Sequence, residues 1–307
     1  MKEIQIGKTG TLTVLRTSEH GVYLGKRERT GRETGSEAES VLLPKGQVPE
    51  GLKIGDEIPV FVYRDSEDRP IATVKRPYAE VGEFAYLTVK AVTKLGAFLD
   101  WGLEKDLFLP YKEMEEPVKS GQNLMVRLYL DKSGRISAST KLYGHLSEAE
   151  SPAAEPSSAF RKEDAFEGAV YRVNPEVGVF IAVSPKGERI EAGRAFGKLF
   201  FGLLPPSEVF QKYRLGDKVS GRIMRVRTDG KLDLSLRKRA FLQLDSDGEK
   251  ILNKIREYGG TLPFSESASP ELIKRELQMS KAAFKNAVGH LYKKRMIRIG
   301  EKEISLA

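Results

Sequence analysis

The chain alternates apolar and polar residues over short runs for most of its length. Glu57-Ile58-Pro59-Val60-Phe61-Val62 and Asn123-Leu124-Met125-Val126-Arg127-Leu128 are two such runs, with glycines close before them. Alternation with a period of two puts successive side chains on opposite faces, so these segments predict short antiparallel strands. After Arg239 the period changes. Ile251, Leu252, Ile255 and Tyr258 recur at helical spacing, and Gly259-Gly260 stops the run. Ser269-Pro270-Glu271-Leu272 reads as a helix start, with a serine cap and proline at the first helical position. Leu272, Ile273 and Leu277 continue that helix, and Ser280-Lys281 opens another whose apolar stripe is Phe284, Ala287, Val288 and Leu291. Met296-Ile297-Arg298-Ile299 and Glu303-Ile304-Ser305-Leu306, joined through Gly300-Glu301-Lys302, predict a two-stranded hairpin.

The strand-rich part repeats itself three times. Each copy has a glycine, a small apolar residue and an aromatic: Gly21-Val22-Tyr23, Gly96-Ala97-Phe98 and Gly178-Val179-Phe180. Each then has an apolar run ending in proline, at Pro44, Pro110 and Pro205. Eleven residues after each proline stands a glycine followed by a polar residue: Gly55-Asp56, Gly121-Gln122 and Gly216-Asp217. The period of about 70–95 residues is too long for a solenoid. A unit of several short strands must bury one face of a twisted sheet, and five strands that curl and close do so without long exposed edges. The expected fold is mostly β, three oligonucleotide-binding (OB) barrels, followed by an α+β C-terminal domain.

This repeat resembles the RNA-binding domain named after ribosomal protein S-one. The second copy carries the pattern most fully: Lys94-Leu95-Gly96-Ala97-Phe98-Leu99-Asp100, then Ser120-Gly121-Gln122, then Asp131-Lys132-Ser133-Gly134-Arg135-Ile136. Asp65 to Arg69 and Arg227 to Lys231 repeat the last spacing. Such domains often have a second aromatic before the glycine, where this chain has His20, Leu95 or Val177, and a third-strand histidine, where it is read as having an aliphatic residue or proline. The stacking platform is thinner in each copy, which implies weak binding per barrel offset by several barrels on one chain.

By parity, Val22 and Leu24, Ala97 and Leu99, and Val179 and Ile181 point inward, which sends Tyr23, Phe98 and Phe180 outward. Outward aromatics are what unpaired bases stack on, so these three are the candidate RNA-stacking residues. The other reading is that they cover a barrel end or a neighbouring domain. Trp101 falls on the inward parity and is expected in the core. Arg69, Arg135 and Lys231, on turns beside the face, and Arg222, Arg225 and Arg227, on one strand of the third unit, are candidate phosphate contacts, a solvated edge being the alternative.

The C-terminal helices and hairpin resemble a winged helix-turn-helix. Its last helix and wing carry Lys281, Lys285, Lys293, Lys294, Arg295 and Arg298, and no acidic residue occurs from Leu277 through Gly300. Contact with nucleic acid, including DNA, is one use of such a surface; packing against protein is the other. Ser147 to Ala159, SEAESPAAEPSSA, reads as an extended linker around Pro152 and Pro156. The expected domains are 1–76, 77–145 and 161–240 for the barrels, 146–160 for the linker and 241–307 for the winged helix. Barrels one and two are expected to form one half of the molecule, and barrel three with the winged helix the other. As a whole the chain resembles the conserved virulence factor B family of Gram-positive bacteria. That resemblance implies an RNA-binding regulator of gene expression, including virulence genes in pathogens.

Composition narrows the function classes. Among 307 residues there is no cysteine, so thiolate metal sites, disulfides and cysteine nucleophiles are excluded. No signal-peptide core or bilayer-length apolar stretch is seen, and the protein is expected to be cytoplasmic, without membrane partners. The net charge is +8, carried by the second half: residues 77–145 have nine basic against nine acidic residues, and 161–240 have seventeen against ten. Charge thus favours barrel three and the winged helix as the stronger polyanion binders. The acidic groups Asp65, Glu67 and Asp68, Asp100, Glu104 and Asp106, and Glu113, Glu115 and Glu116 sit in separate turns or a surface run rather than around one focus. His20, His145 and His290 are scattered, and Gly7-Lys8-Thr9-Gly10 lacks the spacing of a phosphate loop. The protein is therefore expected to be no enzyme, with no cofactor, metal or small-molecule substrate. Single-stranded RNA is the expected partner, and a protein-interaction scaffold on the ribosome or transcription machinery is the alternative.

Overall fold

The computed structural model describes residues 4–26, 40–65, 67–149, 160–236 and 240–307, the last range without the side chains of 240–246. Barrel one consists of β1 (Thr9–Ser18), β2 (Gly21–Gly25), β3 (Val41–Pro44), β4 (Glu57–Arg64) and β5 (Pro70–Thr73). Barrel two has β6 (Phe84–Val92), β7 (Gly96–Asp100), β8 (Leu107–Pro110), β9 (Asn123–Leu130) and β10 (Ile136–Ser139). Barrel three begins with β11 (Ala165–Asn174) and β12 (Gly178–Val183), followed by an extra short strand, β13 (Arg194–Phe196). It is completed by β14 (Phe200–Leu204), β15 (Lys218–Val226) and β16 (Leu232–Ser235). Each barrel is closed, with its third strand pairing in parallel with its fifth.

The repeated residues are those that closure needs. The first strand of each barrel pairs with the fourth strand along one stretch and with the second along another, and it is bulged between Val14 and Arg16, Val89 and Ala91, and Val170 and Arg172. A bulge bends a strand and sharpens its twist. In each barrel the glycine eleven residues after the proline clamps that bend. The N–H groups of Gly55, Gly121 and Gly216 donate to the carbonyls of Val14, Val89 and Val170 at 2.8, 2.8 and 2.7 Å. The same three valines donate back to the carbonyls of Asp56, Gln122 and Asp217 at 2.9, 2.8 and 2.9 Å. Those glycines have φ of +91°, +80° and +86°, a region open to glycine. The side chain of the polar residue after each accepts the N–H of Lys53, Lys119 or Arg214 at 2.8–2.9 Å, so this position calls for an acceptor.

The glycines that open the second strands have a different reason. A Cβ on Gly21, Gly96 or Gly178 would lie 2.0, 2.3 or 2.2 Å from the carbonyl oxygen of Leu43, Leu109 or Leu204. The neighbouring strand passes too close for any side chain.

The expected division into halves is corrected by the packing. Residues up to Leu236 form one compact unit, and Arg237–Ala307 form a second. Barrel three shares a core with barrel two: Tyr171, Phe180, Phe196, Phe201, Leu203 and Leu215 are buried in the same cluster as Phe84, Tyr86 and Leu124. β13 adds to the edge of β6 in the register Arg194 opposite Tyr86 and Phe196 opposite Phe84. The Tyr86 hydroxyl donates to the Gly216 carbonyl at 2.7 Å, and the Gln122 side chain to the Leu215 carbonyl at 2.6 Å. Residues 150–159 of the expected linker, with Pro152 and Pro156, lie outside the described residues. Its first residues are docked on barrel three: Ser147 N–H donates to the Leu199 carbonyl at 2.8 Å, and Ala149 N–H to the Gly230 carbonyl at 2.7 Å.

The C-terminal unit contains α1 (Ala240–Glu257), β17 (Thr261–Leu262), α2 (Pro270–Leu277), α3 (Lys281–Lys293), β18 (Ile297–Ile299) and β19 (Ile304–Leu306). The hydroxyls of Ser269 and Ser280 cap α2 and α3, accepting the N–H groups of Leu272 and Ala283 at 3.3 and 3.2 Å. Ile251, Ile255, Ile273, Phe284, Val288 and Ile304 form its core. Tyr258 is half-exposed instead of continuing the buried stripe, because α1 ends one residue before it. No described helix is long and apolar enough to cross a membrane.

The shared core generates a prediction. A protease site engineered into 150–159 should, once cut, leave two pieces that co-elute on size exclusion without denaturant. Separation of the pieces would mean that the contact between barrels two and three is too weak to hold them.

Candidate nucleic-acid interface

In β7, Ala97 and Leu99 are fully buried and Phe98 faces out, half-buried. On the neighbouring strand Leu107 and Leu109 are buried, and Phe108 faces out directly opposite Phe98. Their ring centroids lie 5.3 Å apart at 42°. This corrects the expectation of an aliphatic residue or proline on the third strand, which holds only for Leu42 and Leu203 in the other two barrels. The alternation in Leu107-Phe108-Leu109 was the signal that could have found Phe108.

The Phe98–Phe108 pair lines a cleft of about 580 Å³. Tyr63 and Arg64 of barrel one, Trp101, the mostly exposed Leu95 and Arg135 form much of its wall. Trp101 is buried, as expected, but in the seam between barrels: its indole N–H donates to the Lys105 carbonyl at 2.6 Å, and its ring meets Phe61 of barrel one edge-on at 5.8 Å. Arg64 donates to the carbonyl of Gly134 at 3.2 Å and Lys105 to that of Asp65 at 2.9 Å, so main-chain contacts fix the cleft walls.

In barrel one Val22 and Leu24 are buried and Tyr23 faces out, half-buried, with the Arg16 guanidinium 3.5 Å from its ring centroid. In barrel three Phe180 also points out of its own barrel, but it is 7% exposed. Tyr143, Tyr171 and Phe201 pack edge-on around it with centroids 6.4, 6.1 and 5.8 Å away. The expectation that Phe180 offers a face to a base is therefore corrected. The reading that such an aromatic packs against a neighbouring part of the chain describes it: Tyr143, from the segment after barrel two, lies over it beside Tyr171 and Phe201.

The three turns after the fourth strands share one geometry. The N–H groups of Asp65, Asp131 and Arg227 donate to the carbonyls of Arg69, Arg135 and Lys231 at 3.0, 2.9 and 2.8 Å. Every barrel cation singled out from the sequence has an acidic partner. Arg69 pairs with Asp65 and Glu67 at 2.8 and 2.7 Å. Arg135 forks onto Asp68 of barrel one, and its hydrogen bonds hold that carboxyl below the usual carboxylate range. Arg222 pairs with Glu163 at 2.8 Å, while its Nε is buried without a partner among the described residues. Arg225 and Arg227 share Asp233 at 2.9 and 2.6 Å, and Lys231 reaches Asp229 at 2.9 Å. Exposed pairs of this kind add little stability, so a phosphate can compete for the cation. Arg237, Lys238 and Arg239 lie outside the described residues.

The C-terminal unit differs. Lys281, Lys285, Lys293, Lys294, Arg295 and Arg298 are all exposed. Lys281, Lys285, Lys293, Arg295 and Arg298 are not ion-paired among the described residues. The acidic groups considered for catalysis do not converge: Glu104 pairs with Lys75, Asp106 with Lys90 and Asp68 with Arg135.

Comparison with protein-family models matches residues 6–75 and 81–141 to the S1 domain. Residues 196–238 match the second domain of virulence regulatory factor CvfB, and 249–306 the CvfB-like winged helix domain. These are nucleic-acid-binding and regulatory domains rather than enzyme families. The chain is 31% identical over 294 residues to the Bacillus subtilis protein YitL, covering 94% of this chain and 89% of that one. It is 30% identical to conserved virulence factor B of Staphylococcus epidermidis, covering 89% and 88% of the two chains. A crystal structure of a multidomain protein with nucleic acid binding domains from Streptococcus pneumoniae is 23% identical, covers 98% of each chain and gives a TM-score of 0.49.

Burial distinguishes the two phenylalanines. Phe180→Ala should destabilise the protein by about 3–5 kcal/mol, as truncation of a core aromatic does, and Phe98→Ala by clearly less. Urea denaturation followed by circular dichroism checks this; equal losses would mean that Phe98 is also a packing residue.

Proposed function

The chain belongs to the conserved virulence factor B family, and we propose that it is a cytoplasmic regulator of gene expression that binds single-stranded RNA. The observation that carries this reading is the outward Phe98–Phe108 pair at the interbarrel cleft with Arg135 beside it. Paired π-faces next to a cation match what unstacked bases and their phosphates require. Tyr23, backed by Arg16 and close to Arg69, supplies a similar surface on barrel one. In this reading the weight moves from barrel three to barrels one and two, although charge favoured barrel three. The exposed cations of α3 and the wing add phosphate contacts, to RNA or to duplex DNA. Regulation of virulence genes is the part of the proposal that rests on the names of the relatives.

A specific observation favours a second reading, a protein-interaction scaffold: the named barrel cations are all paired with carboxylates, which lowers the attraction of those barrels for a polyanion.

Filter binding at physiological salt separates the readings. Single-stranded RNA should bind more tightly than duplex DNA of equal length, and Phe98→Ala and Phe108→Ala should each cost about 1–3 kcal/mol of RNA affinity. Lys285→Ala and Arg298→Ala should each flatten the salt dependence by about one phosphate contact. Equal or better binding to duplex DNA would make the winged helix the primary reader, and no binding to either would leave the scaffold.

A further inference from the structure

Barrel three keeps an aromatic on its surface, but the residue comes from outside that barrel. Tyr143 follows barrel two and is 52% exposed. Phe180 and Phe201 meet it edge-on, at 81° and 78°, with centroids 6.4 and 5.8 Å away. The chain is pinned on either side of it: Leu142 is fully buried, and Ser147 hydrogen-bonds to β14 through Phe201 N–H at 3.2 Å. The ring is thus held in place and half open to solvent, with no hydrogen bond to its hydroxyl among the described residues. Two cations rim the same cluster. Lys231 Nζ lies 5.4 Å from the Phe201 centroid and Arg172 Cζ 5.6 Å from that of Phe180. The ammonium of Lys231 is held above the usual lysine range first by Asp229, with the nearby Tyr143 and Glu148 adding to it.

We propose that Tyr143 is the base-stacking residue of barrel three, taking the place of the buried Phe180, with Lys231 and Arg172 positioned for the adjoining phosphates; this rests on the reading of the protein as a single-stranded RNA binder. A ring already fixed by its neighbours loses little side-chain entropy on stacking, and its exposed face is open to any base. The site is composite. Barrel two's trailing segment supplies the π-face, and barrel three supplies the support and the charge.

The test uses the full chain and a mixed-sequence single-stranded RNA oligonucleotide long enough to span the three barrels. Tyr143→Ala should weaken binding by about fivefold or more, and Tyr143→Phe should stay within about twofold of wild type, because stacking needs the ring and not the hydroxyl. Photo-cross-linking of wild type to RNA carrying 4-thiouridine, followed by trypsin, should mark the peptide spanning residues 142–161 at Tyr143. This arm holds even where the alanine variant folds poorly. Unchanged affinity of Tyr143→Ala with no cross-link overturns the proposal. Tighter binding also overturns it, since the ring would then be a plug over Phe180 and not a platform. Phe98→Ala is the reference: if it weakens binding while Tyr143→Ala does not, this inference alone fails. If wild type binds no RNA, the underlying reading fails.

Discussion

A barrel of five short strands closes only if its first strand serves two neighbours at once, and that requirement organises everything up to Leu236. The strand must bend where it passes from one neighbour to the other, and the bulges after Val14, Val89 and Val170 are that bend. A bulge leaves main-chain groups off the ladder, and buried groups of that kind need partners. The Gly-Asp and Gly-Gln pairs supply them in each barrel. With the bend held, the second and third strands take a fixed register, and the aromatic of the second strand meets the same third-strand position each time: Leu42, Phe108 or Leu203.

Identical scaffolds then meet different surroundings. Barrel three has a longer connection than barrel two between its second and third-strand equivalents, and part of it, β13, joins the edge of β6. An outward surface containing Tyr171, Phe180, Phe201 and Leu203 is too apolar to leave in water beside another barrel. Covering it stabilises the pair of barrels and removes Phe180 from solvent. In barrel two the corresponding rings border the open cleft.

Charge behaves in a similar way. A surplus of basic residues marked barrel three as the polyanion binder, yet Arg222, Arg225, Arg227 and Lys231 all lie against carboxylates brought near by the fold. Asp233 alone holds two of these arginines. The winged helix has the opposite outcome: the stretch from Leu277 through Gly300 contains no acid, and Lys281, Lys285, Lys293, Arg295 and Arg298 are not ion-paired among the described residues.

Local patterns were legible in the chain because they answer local demands. Strand parity put Val22, Ala97 and Val179 inward, the serines capped α2 and α3, and the spacing of eleven marked a clamp that any barrel of this kind needs. β17 escaped detection, since two residues show no period. Phe108 was legible but was displaced by one position. The tertiary structure alone decided which outward residues are covered and which carboxylates Arg135 and Arg222 meet. Those outcomes depend on pairs such as Tyr86 with Gly216, 130 residues apart, or Asp68 with Arg135, 67 apart. Contacts over such separations impose no periodicity on the chain, because each side satisfies its own strand rule whether or not the other is present.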